Sequence, residues 1–113
     1  MREIDIREFL DASGRSPFGR WFDGLNAVAA ARVTIALARL SQGNFSNVEG
    51  GGSGVYELKM DFGPGYRVYF GKDGERIVIL LGGSAKKRQE AAIAAARAAW
   101  AEYKRRKGGQ GVR

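Results

Sequence analysis

The stretch from Gly54 to Arg88 decides the fold, and its sequence is GVYELKMDFGPGYRVYFGKDGERIVILLGGSAKKR. Its pattern predicts three short strands joined by two tight turns, followed by the start of a helix. Because successive side chains of a strand point to opposite faces of a sheet, one face of the first two strands is apolar. The members of that apolar face are Tyr56, Leu58, Met60, Tyr66, Val68 and Phe70. The opposite face carries polar and charged groups, and we expect function there. Its members are Glu57, Lys59, Arg67 and Tyr69.

The turns and the third strand support a three-stranded antiparallel meander. The first turn spans residues 61–65, and the second contains Asp73-Gly74, a dipeptide typical of tight hairpins. The third strand, residues 76–81, is almost entirely apolar. This composition predicts a central strand that is covered on both faces.

The segment before the meander predicts one strand and a helical hairpin. Residues 2–7 alternate between apolar and charged side chains, as a half-buried edge strand does. Ser16 and Pro17 mark a helix start, since serine caps helix N-termini and proline favours the first helical position. Asn26 is expected to cap a second helix that runs to about Ser41.

Two segments flank the meander and complete the predicted α+β fold. Residues 46–54 are glycine-rich but lack the Lys-Ser/Thr ending of a P-loop, so we expect a flexible loop. The alanine-rich residues 85–106 predict a C-terminal helix. The fold is then an N-terminal strand, a helix hairpin, a three-stranded antiparallel meander completing a small sheet, and a C-terminal helix. We expect residues 1–107 to form a single domain and residues 108–113 a disordered tail.

The composition excludes several kinds of site. The 113 residues contain neither cysteine nor histidine, so the sequence offers no thiol nucleophile and no imidazole base or metal ligand. We therefore expect no metal and no cofactor. No apolar run approaches the roughly 20 residues of a membrane-spanning helix, and the charged N-terminus lacks the apolar core of a signal peptide. The sequence predicts a cytoplasmic protein with no membrane partner.

The positive charge lies at the C-terminal end of the chain. Residues 1–84 contain as many acidic as basic side chains, so residues 85–113 carry the whole net charge of +7. This asymmetry indicates an anionic partner such as nucleic acid, with a solvated basic tail as the alternative. Lys86, Lys87 and Arg88 stand at the predicted helix N-terminus, where the helix dipole favours an anion. A bound phosphate would offset the repulsion among these three cations, whereas side chains that simply extend into water are the other interpretation.

A site of this kind can cleave RNA without histidine. Cleavage needs a base for the 2′-hydroxyl, charge stabilisation at the phosphate and a proton for the leaving oxygen. A lysine among other cations can act as the base, and Arg67 could hold the phosphate through two parallel hydrogen bonds. Tyr69 could stack on a base or donate a proton, and Glu57 could orient a cation or act as the base. The spacing alone does not choose among these roles.

Four segments of the chain resemble the RelE/ParE superfamily of toxins from type II toxin–antitoxin modules. Within it, the similarity is to the HigB-like branch of addiction-module killer proteins. Two of them are VYELKMDFGPGYRVYF (residues 55–70) and ILLGGSAKKRQ (residues 79–89), and their most specific parts are GPGYRVYF and LLGG with KKRQ. The others are FGRWFDGL (residues 18–25) and the Gly-Asn pair after the second predicted helix. The resemblance covers about residues 2–103.

The resemblance implies an endoribonuclease that cleaves mRNA on the translating ribosome. It also implies a cognate antitoxin, often a helix-turn-helix protein, as the neutralising partner. By motif, the implied catalytic residues are Lys59, Arg67, Lys86 and Lys87. The residues expected to bind RNA are Glu57, Tyr69 and Arg88. The chain departs from the family pattern at Ala92, which stands where an aspartate commonly precedes the isoleucine of the last helix.

Two other functions remain open on the same fold. One is a non-enzymatic poison of DNA gyrase of the ParE type, and the other is a nucleic-acid-binding domain without activity. The expected convergence of Lys59, Arg67 and Lys86 favours the endoribonuclease, because a gyrase poison has no need of these cations in one place.

Overall fold

The computed structural model describes residues 3–111, with side chains through residue 108. Within this range the chain forms five strands, three α-helices and one 3-10 turn. In chain order they are β1 (Asp5–Glu8), α1 (Pro17–Asp23), α2 (Ala27–Ser41), β2 (Val48–Gly50), β3 (Val55–Met60), β4 (Tyr66–Lys72), β5 (Ile77–Ala85), the 3-10 turn (Lys86–Arg88) and α3 (Gln89–Gly111). The predicted α+β fold, with its helix hairpin, meander and C-terminal helix, is confirmed. No helix in the described range is long and apolar enough to cross a membrane.

Side-chain caps define the helix hairpin as the sequence predicts. The Ser16 hydroxyl accepts a hydrogen bond from the Gly19 amide at 2.8 Å, and Pro17 takes the first helical position. The Asn26 side-chain carbonyl accepts from the Ala29 amide at 2.9 Å and starts α2. Each cap satisfies an amide that the first helical turn leaves without a partner.

The five strands form one sheet in the order β1-β5-β4-β3-β2. β1 runs parallel to β5, from Asp5 opposite Ile77 to Glu8 opposite Leu80, and all other neighbours are antiparallel. β5 is longer than the predicted third strand because it continues through Gly82, Gly83 and Ser84 to Ala85. As a result, the last five residues of β5 extend beyond the end of its pairing with β1.

A β-bulge part-way along β5 changes which of its residues face each side of the sheet. The register to β4 shifts between Tyr69 and Phe70, so Tyr69 lies opposite Gly82 while Phe70 lies opposite Leu80. Leu81 is the extra residue. After it, Gly83 takes the face of the sheet that α1 packs on.

The prediction of a flexible loop over residues 46–54 is wrong. Val48–Gly50 adds a fifth strand, and the Gly51 amide closes the β2–β3 hairpin by donating to the Val55 carbonyl at 2.7 Å. A side chain at Gly54 would place its Cβ 2.7 Å from Nε1 of Trp100. The glycines therefore let the hairpin lie directly against α3, so they serve close packing more than flexibility.

The polar face of the meander is covered, which corrects the expectation of an open functional face. The helix hairpin packs on one side of the sheet over a core that includes Val33, Leu40 and Phe70. On the other side, α3 packs over Tyr69, with Ala96 and Trp100 in the same buried cluster. The prediction that β5 is covered on both faces is confirmed, since its side chains contribute to both clusters.

The helix α3 differs from its prediction at both ends. A 3-10 turn, Lys86–Arg88, precedes it, and the α-helix proper starts at Gln89 instead of residue 85. At the other end α3 continues to Gly111 and takes in part of segment 108–113, which the sequence predicts as a disordered tail. Residues 112 and 113 of that segment lie outside the described residues.

Candidate functional site

Two of the predicted site residues, Lys59 and Arg67, lie in one row across the sheet together with Ser84. Lys59 on β3 is opposite Arg67 on β4, which is in turn opposite Ser84 on β5. The neighbouring row places Glu57 opposite Tyr69. Since adjacent strands are about 4.8 Å apart, Lys59 and Ser84 lie roughly 10 Å from each other. The sheet thus brings the predicted residues into neighbouring rows, but their surroundings differ.

Arg67 forms a buried ion pair. Its side chain is 8% exposed, and its Nε lies 3.2 Å from Oε1 of Glu57, whose side chain is 14% exposed. A guanidinium taken out of water needs such a partner, and loss of either member leaves an uncompensated charge. Its charge is already matched by Glu57, so in this conformation Arg67 is not an open phosphate clamp.

Tyr69 is completely buried under α3. Its hydroxyl lies 3.1 Å from the Ser84 hydroxyl, and either group can donate that hydrogen bond. Burial raises the pKa of Tyr69 above its ordinary value, and the hydrogen bond with Ser84 partly offsets the increase. Stacking of a nucleobase on this ring would require α3 to leave the sheet.

Lys59 lies on the far side of Arg67 from β5. Its ammonium group is 3.0 Å from Oε2 of Glu49 on β2, and the two side chains are 33% and 61% exposed. An ion pair as accessible as this contributes about 0–1 kcal/mol and exchanges partners readily. Lys59 is therefore accessible to an anionic ligand, but at a place separate from the 3-10 turn.

The 3-10 turn presents the largest group of accessible cations among the predicted residues. Lys86, Lys87 and Arg88 are all exposed, and the Lys86 amide donates to the Gly65 carbonyl at 2.9 Å. This hydrogen bond fixes the turn to the β3–β4 connection at the end of the sheet. We call these three residues the basic turn. Like-charged neighbours repel, and a bound phosphate would relieve that repulsion.

A cleft beside the basic turn brings in residues that the sequence analysis did not single out as functional. The cleft has a volume of about 640 Å³ and lies between α1, the last residues of β5 and the first turn of α3. Its walls include Trp21 and Tyr66, and its rim carries Arg20 and Arg88. We call it the β5-edge cleft. The signal in the sequence was Gly83, which lets an element of the other layer pack directly on the backbone of β5 beside this space.

Gly83 explains how α1 comes to form one wall of the cleft. A Cβ built on Gly83 would lie 2.3 Å from Cε3 of Trp21, so the indole packs directly on the strand backbone. The same indole meets the Tyr66 ring edge-on, with centroids 6.2 Å apart. Arg20, the neighbour of Trp21 in α1, is exposed. Gly83 therefore positions an aromatic and a cationic residue of α1 beside the basic turn.

Comparison with known proteins gives the family of this chain. Residues 20–104, which are more than half of the chain, match the family model described as phage derived protein Gp49-like (DUF891). A similar protein is an uncharacterised protein of Haemophilus influenzae, 38% identical over 65 residues, which are 57% of this chain and 66% of that protein. The match thus spans slightly less than two thirds of this relative. The chain belongs to the Gp49-like family of phage-derived proteins, a toxin family of the addiction-module killer type.

Proposed function

We propose that this chain is the toxin of a type II toxin–antitoxin module and acts in the cytoplasm as a ribosome-dependent endoribonuclease on mRNA. The observation that carries the proposal is the basic turn, three exposed cations held at the end of the sheet in a chain of net charge +7. The HigB-like resemblance and the membership in a killer-type toxin family support it. Ribosome and mRNA are the proposed target, and a helix-turn-helix antitoxin is the proposed neutralising partner.

The proposed chemistry centres on the turn. Lys86 and Lys87 bind the scissile phosphate and stabilise the negative charge that develops there, and Arg88 holds a neighbouring phosphate. Lys59 is the third accessible cation of the predicted catalytic set and lies apart from the other two. Arg67 lies beneath the surface, and it reaches RNA directly only if α3 lifts from the sheet. An acidic antitoxin segment that covers the turn would block phosphate binding by direct competition.

The test is a triple substitution in the basic turn. Expression of the unaltered chain is expected to arrest growth and to produce translation-dependent, codon-linked cuts in mRNA, detected by primer extension. The variant K86A/K87A/R88A is expected to lose both effects. Substitution of Arg67 is a poorer test, because removal of one member of the buried ion pair also impairs folding.

A matched control removes the same charge elsewhere. Arg76 precedes β5, at the opposite end of that strand from the turn, and Lys104 and Arg105 are exposed on α3. The variant R76A/K104A/R105A therefore has the same net charge as the basic-turn variant. It is expected to retain the mRNA cuts. Cuts that persist in the basic-turn variant would overturn the proposed role of the turn.

The burial of Arg67 favours a second candidate, the ParE-type gyrase poison. With Arg67 paired to Glu57, the four predicted catalytic residues do not form one open site in this conformation, and a non-enzymatic toxin would not need one. Intact mRNA together with broken chromosomal DNA after induction would support this candidate. Absence of both kinds of damage would leave the third alternative, a nucleic-acid-binding domain without activity.

A further inference from the structure

The β5-edge cleft is a structural feature that the proposed phosphate chemistry does not use. It opens where the pairing of β1 ends at Leu80 while β5 continues to Ala85. Among the described residues, no strand pairs with this outer edge of Gly82–Ala85. The edge of an unpaired strand offers backbone amide and carbonyl groups to a ligand. The cleft therefore combines a polar backbone edge with aromatic walls.

Small side chains keep the cleft open. Gly83 lines the cleft beside the Trp21 indole, and α3 contributes only the methyl groups of Ala91 and Ala92. Ala92 is the position where an aspartate is common in the family that the sequence resembles, so this chain has a neutral wall there. A volume of about 640 Å³ lies within the range of 300–1,000 Å³ that is typical of small-ligand sites.

The charged side chains that line the cleft are all cationic. Arg20 and Arg88 line it, and Lys86 and Lys87 are adjacent in the basic turn, whereas no acidic residue lines it. In the part of the chain that the structure describes, no carboxylate lies within 4.0 Å of either arginine. An occupant should therefore have an aromatic or apolar body and negative charge close by.

We propose that the β5-edge cleft binds one unpaired nucleobase of a single-stranded RNA whose phosphates lie on the basic turn. A nucleobase has a flat aromatic face for Trp21 and Tyr66 and a polar edge for the backbone of β5. Its flanking phosphates match Arg20 and Arg88 in charge and reach. The identity of the ligand as RNA rests on the proposed function. The cleft would then select a nucleotide at a fixed distance from the phosphate held by Lys86 and Lys87.

The test fills the cleft without touching a cation. Ala91 is exposed and lines the cleft, so Ala91→Phe blocks it, whereas Ala98→Phe adds the same ring two turns further along α3 and outside the cleft. Binding is measured by fluorescence anisotropy with a 2′-O-methyl RNA hexamer, which cannot be cleaved through its 2′ position. An abasic sugar–phosphate hexamer of equal charge serves as the second probe. Thermal unfolding of both variants checks that they fold alike.

The unaltered chain is expected to bind the RNA hexamer about tenfold more tightly than the abasic one, the difference that one stacked base supplies. Ala91→Phe is expected to abolish that difference, and Ala98→Phe to preserve it. The salt dependence of abasic binding should be equal in all three proteins, because the phosphate contacts are unchanged. RNA should also quench the fluorescence of Trp21 in the unaltered chain, and Ala91→Phe should prevent the quenching.

Equal affinity of the unaltered chain for both hexamers would overturn the proposal, and so would full base-dependent binding by Ala91→Phe. If Ala91→Phe instead weakens binding of an acidic peptide and leaves RNA binding intact, the cleft is a protein-docking site and the proposal is wrong. The hexamer is not cleaved in this assay, so failure of the nuclease proposal is seen separately. In that case base-dependent binding persists while mRNA in the cell stays intact.

Discussion

The two faces of the sheet are closed by different chemistry. On the face of α1 and α2, large apolar side chains such as Phe70, Leu40 and Val33 fill the space between the layers. On the face of α3, the sheet contributes the polar Tyr69 and the Arg67–Glu57 pair beside apolar side chains, and the helix contributes alanines around a single buried large ring, Trp100. Alanine allows a helix backbone to approach a sheet closely. The polar groups beneath it must then find partners on the sheet itself, as Tyr69 does with Ser84.

The difference teaches what alternation along a strand can and cannot indicate. Alternation correctly assigned Leu58 and Lys59 to opposite faces. It says nothing about which faces a neighbouring element covers, because a helix with short side chains can cover polar groups that pair among themselves. Polarity predicted an open face here, and the pairing of Arg67 with Glu57 is the reason that the face can be closed.

The largest effect is expected from a substitution in the apolar core beneath α1 and α2. Phe70 is fully buried and stacks on Tyr56, with ring centroids 5.6 Å apart. Phe70→Ala is expected to lower the free energy of unfolding by about 3–5 kcal/mol, because it removes a buried ring and leaves a cavity. Urea denaturation measures the loss, and the exposed Val28 provides the control, since Val28→Ala should change stability by about 0.5 kcal/mol or less. Comparable losses in the two variants would contradict the assignment of this core.

The second largest effect is expected from substitutions in the ion pair on the α3 face. Glu57→Ala leaves Arg67 buried without its partner and is expected to destabilise the protein by about 3 kcal/mol. The double variant Glu57→Leu with Arg67→Met replaces the pair by apolar groups of similar size and should lie within about 1 kcal/mol of the unaltered chain. Urea denaturation of all three proteins gives the comparison. A double variant as unstable as Glu57→Ala would show that the pair contributes more than mutual neutralisation.

A smaller effect is expected for the hydrogen bond that joins the C-terminal part of α3 to Asp73. The Tyr103 hydroxyl donates to Oδ2 of Asp73 at 2.5 Å, and the Tyr103 ring stacks on Trp100. Burial, with the hydrogen bond to Asp73 next, raises the pKa of Tyr103 to about 12. In the unfolded chain, Tyr103 loses its proton near the ordinary pKa of about 10. The stabilisation of the fold by the protonated Tyr103 is therefore complete below that pH, and it disappears as the pH rises through about 12.

Tyr103→Phe isolates this contribution. At pH 8 the variant is expected to be less stable than the unaltered chain by about 1 kcal/mol, the usual net value of one hydrogen bond. Denaturation series at pH 8, 10 and 12 should show the difference shrinking across the upper interval. A difference that stays constant to pH 12 would contradict the role of the Tyr103 proton.

The smallest expected effect concerns the accessible pair of Lys59 and Glu49. Both side chains are partly exposed, so Glu49→Ala should change stability by about 0.5 kcal/mol or less, and less still in high salt. Glu49→Ala and Glu57→Ala each remove the carboxylate of an ion pair between neighbouring strands. The two pairs differ mainly in burial. A loss as large as that of Glu57→Ala would erase the distinction between the buried and the accessible pair.

Local signals in the sequence account for much of the fold. Ser16, Asn26 and the Asp73-Gly74 turn act through contacts with near neighbours in sequence, and such contacts are readable from one segment. The β2 strand was missed because the glycines that follow it, Gly51 and Gly54, are explained only by the approach of Ile93 and Trp100, more than forty residues away along the chain. The helix α3 does show an apolar stripe in the sequence, with Trp100 on it, but the stripe does not indicate which face of the sheet the helix covers.

The candidate site also has one part that local sequence predicts and one part that depends on distant contacts. The three cations of the basic turn are contiguous in sequence, so it could be predicted that they lie together. In the structure they are exposed in one turn. The contribution of Trp21 could not be predicted, because it depends on the missing side chain at Gly83 in a distant strand. The sequence predicts a helix that starts at Ser16-Pro17 and precedes the one capped by Asn26, but it does not indicate what lies beneath Trp21.

The parallel pairing of β1 with β5 has a consequence for the order in which the chain assembles. Asp5 lies beside Ile77, so β1 and its partner strand are 72 residues apart along the chain. Contacts of such sequence separation form late in folding, because a long loop must close first. The sheet is therefore completed late, and the basic turn, which follows β5, gains its scaffold only then. A ligand or partner that recognises the basic turn would thus distinguish the fully folded chain from partly folded forms.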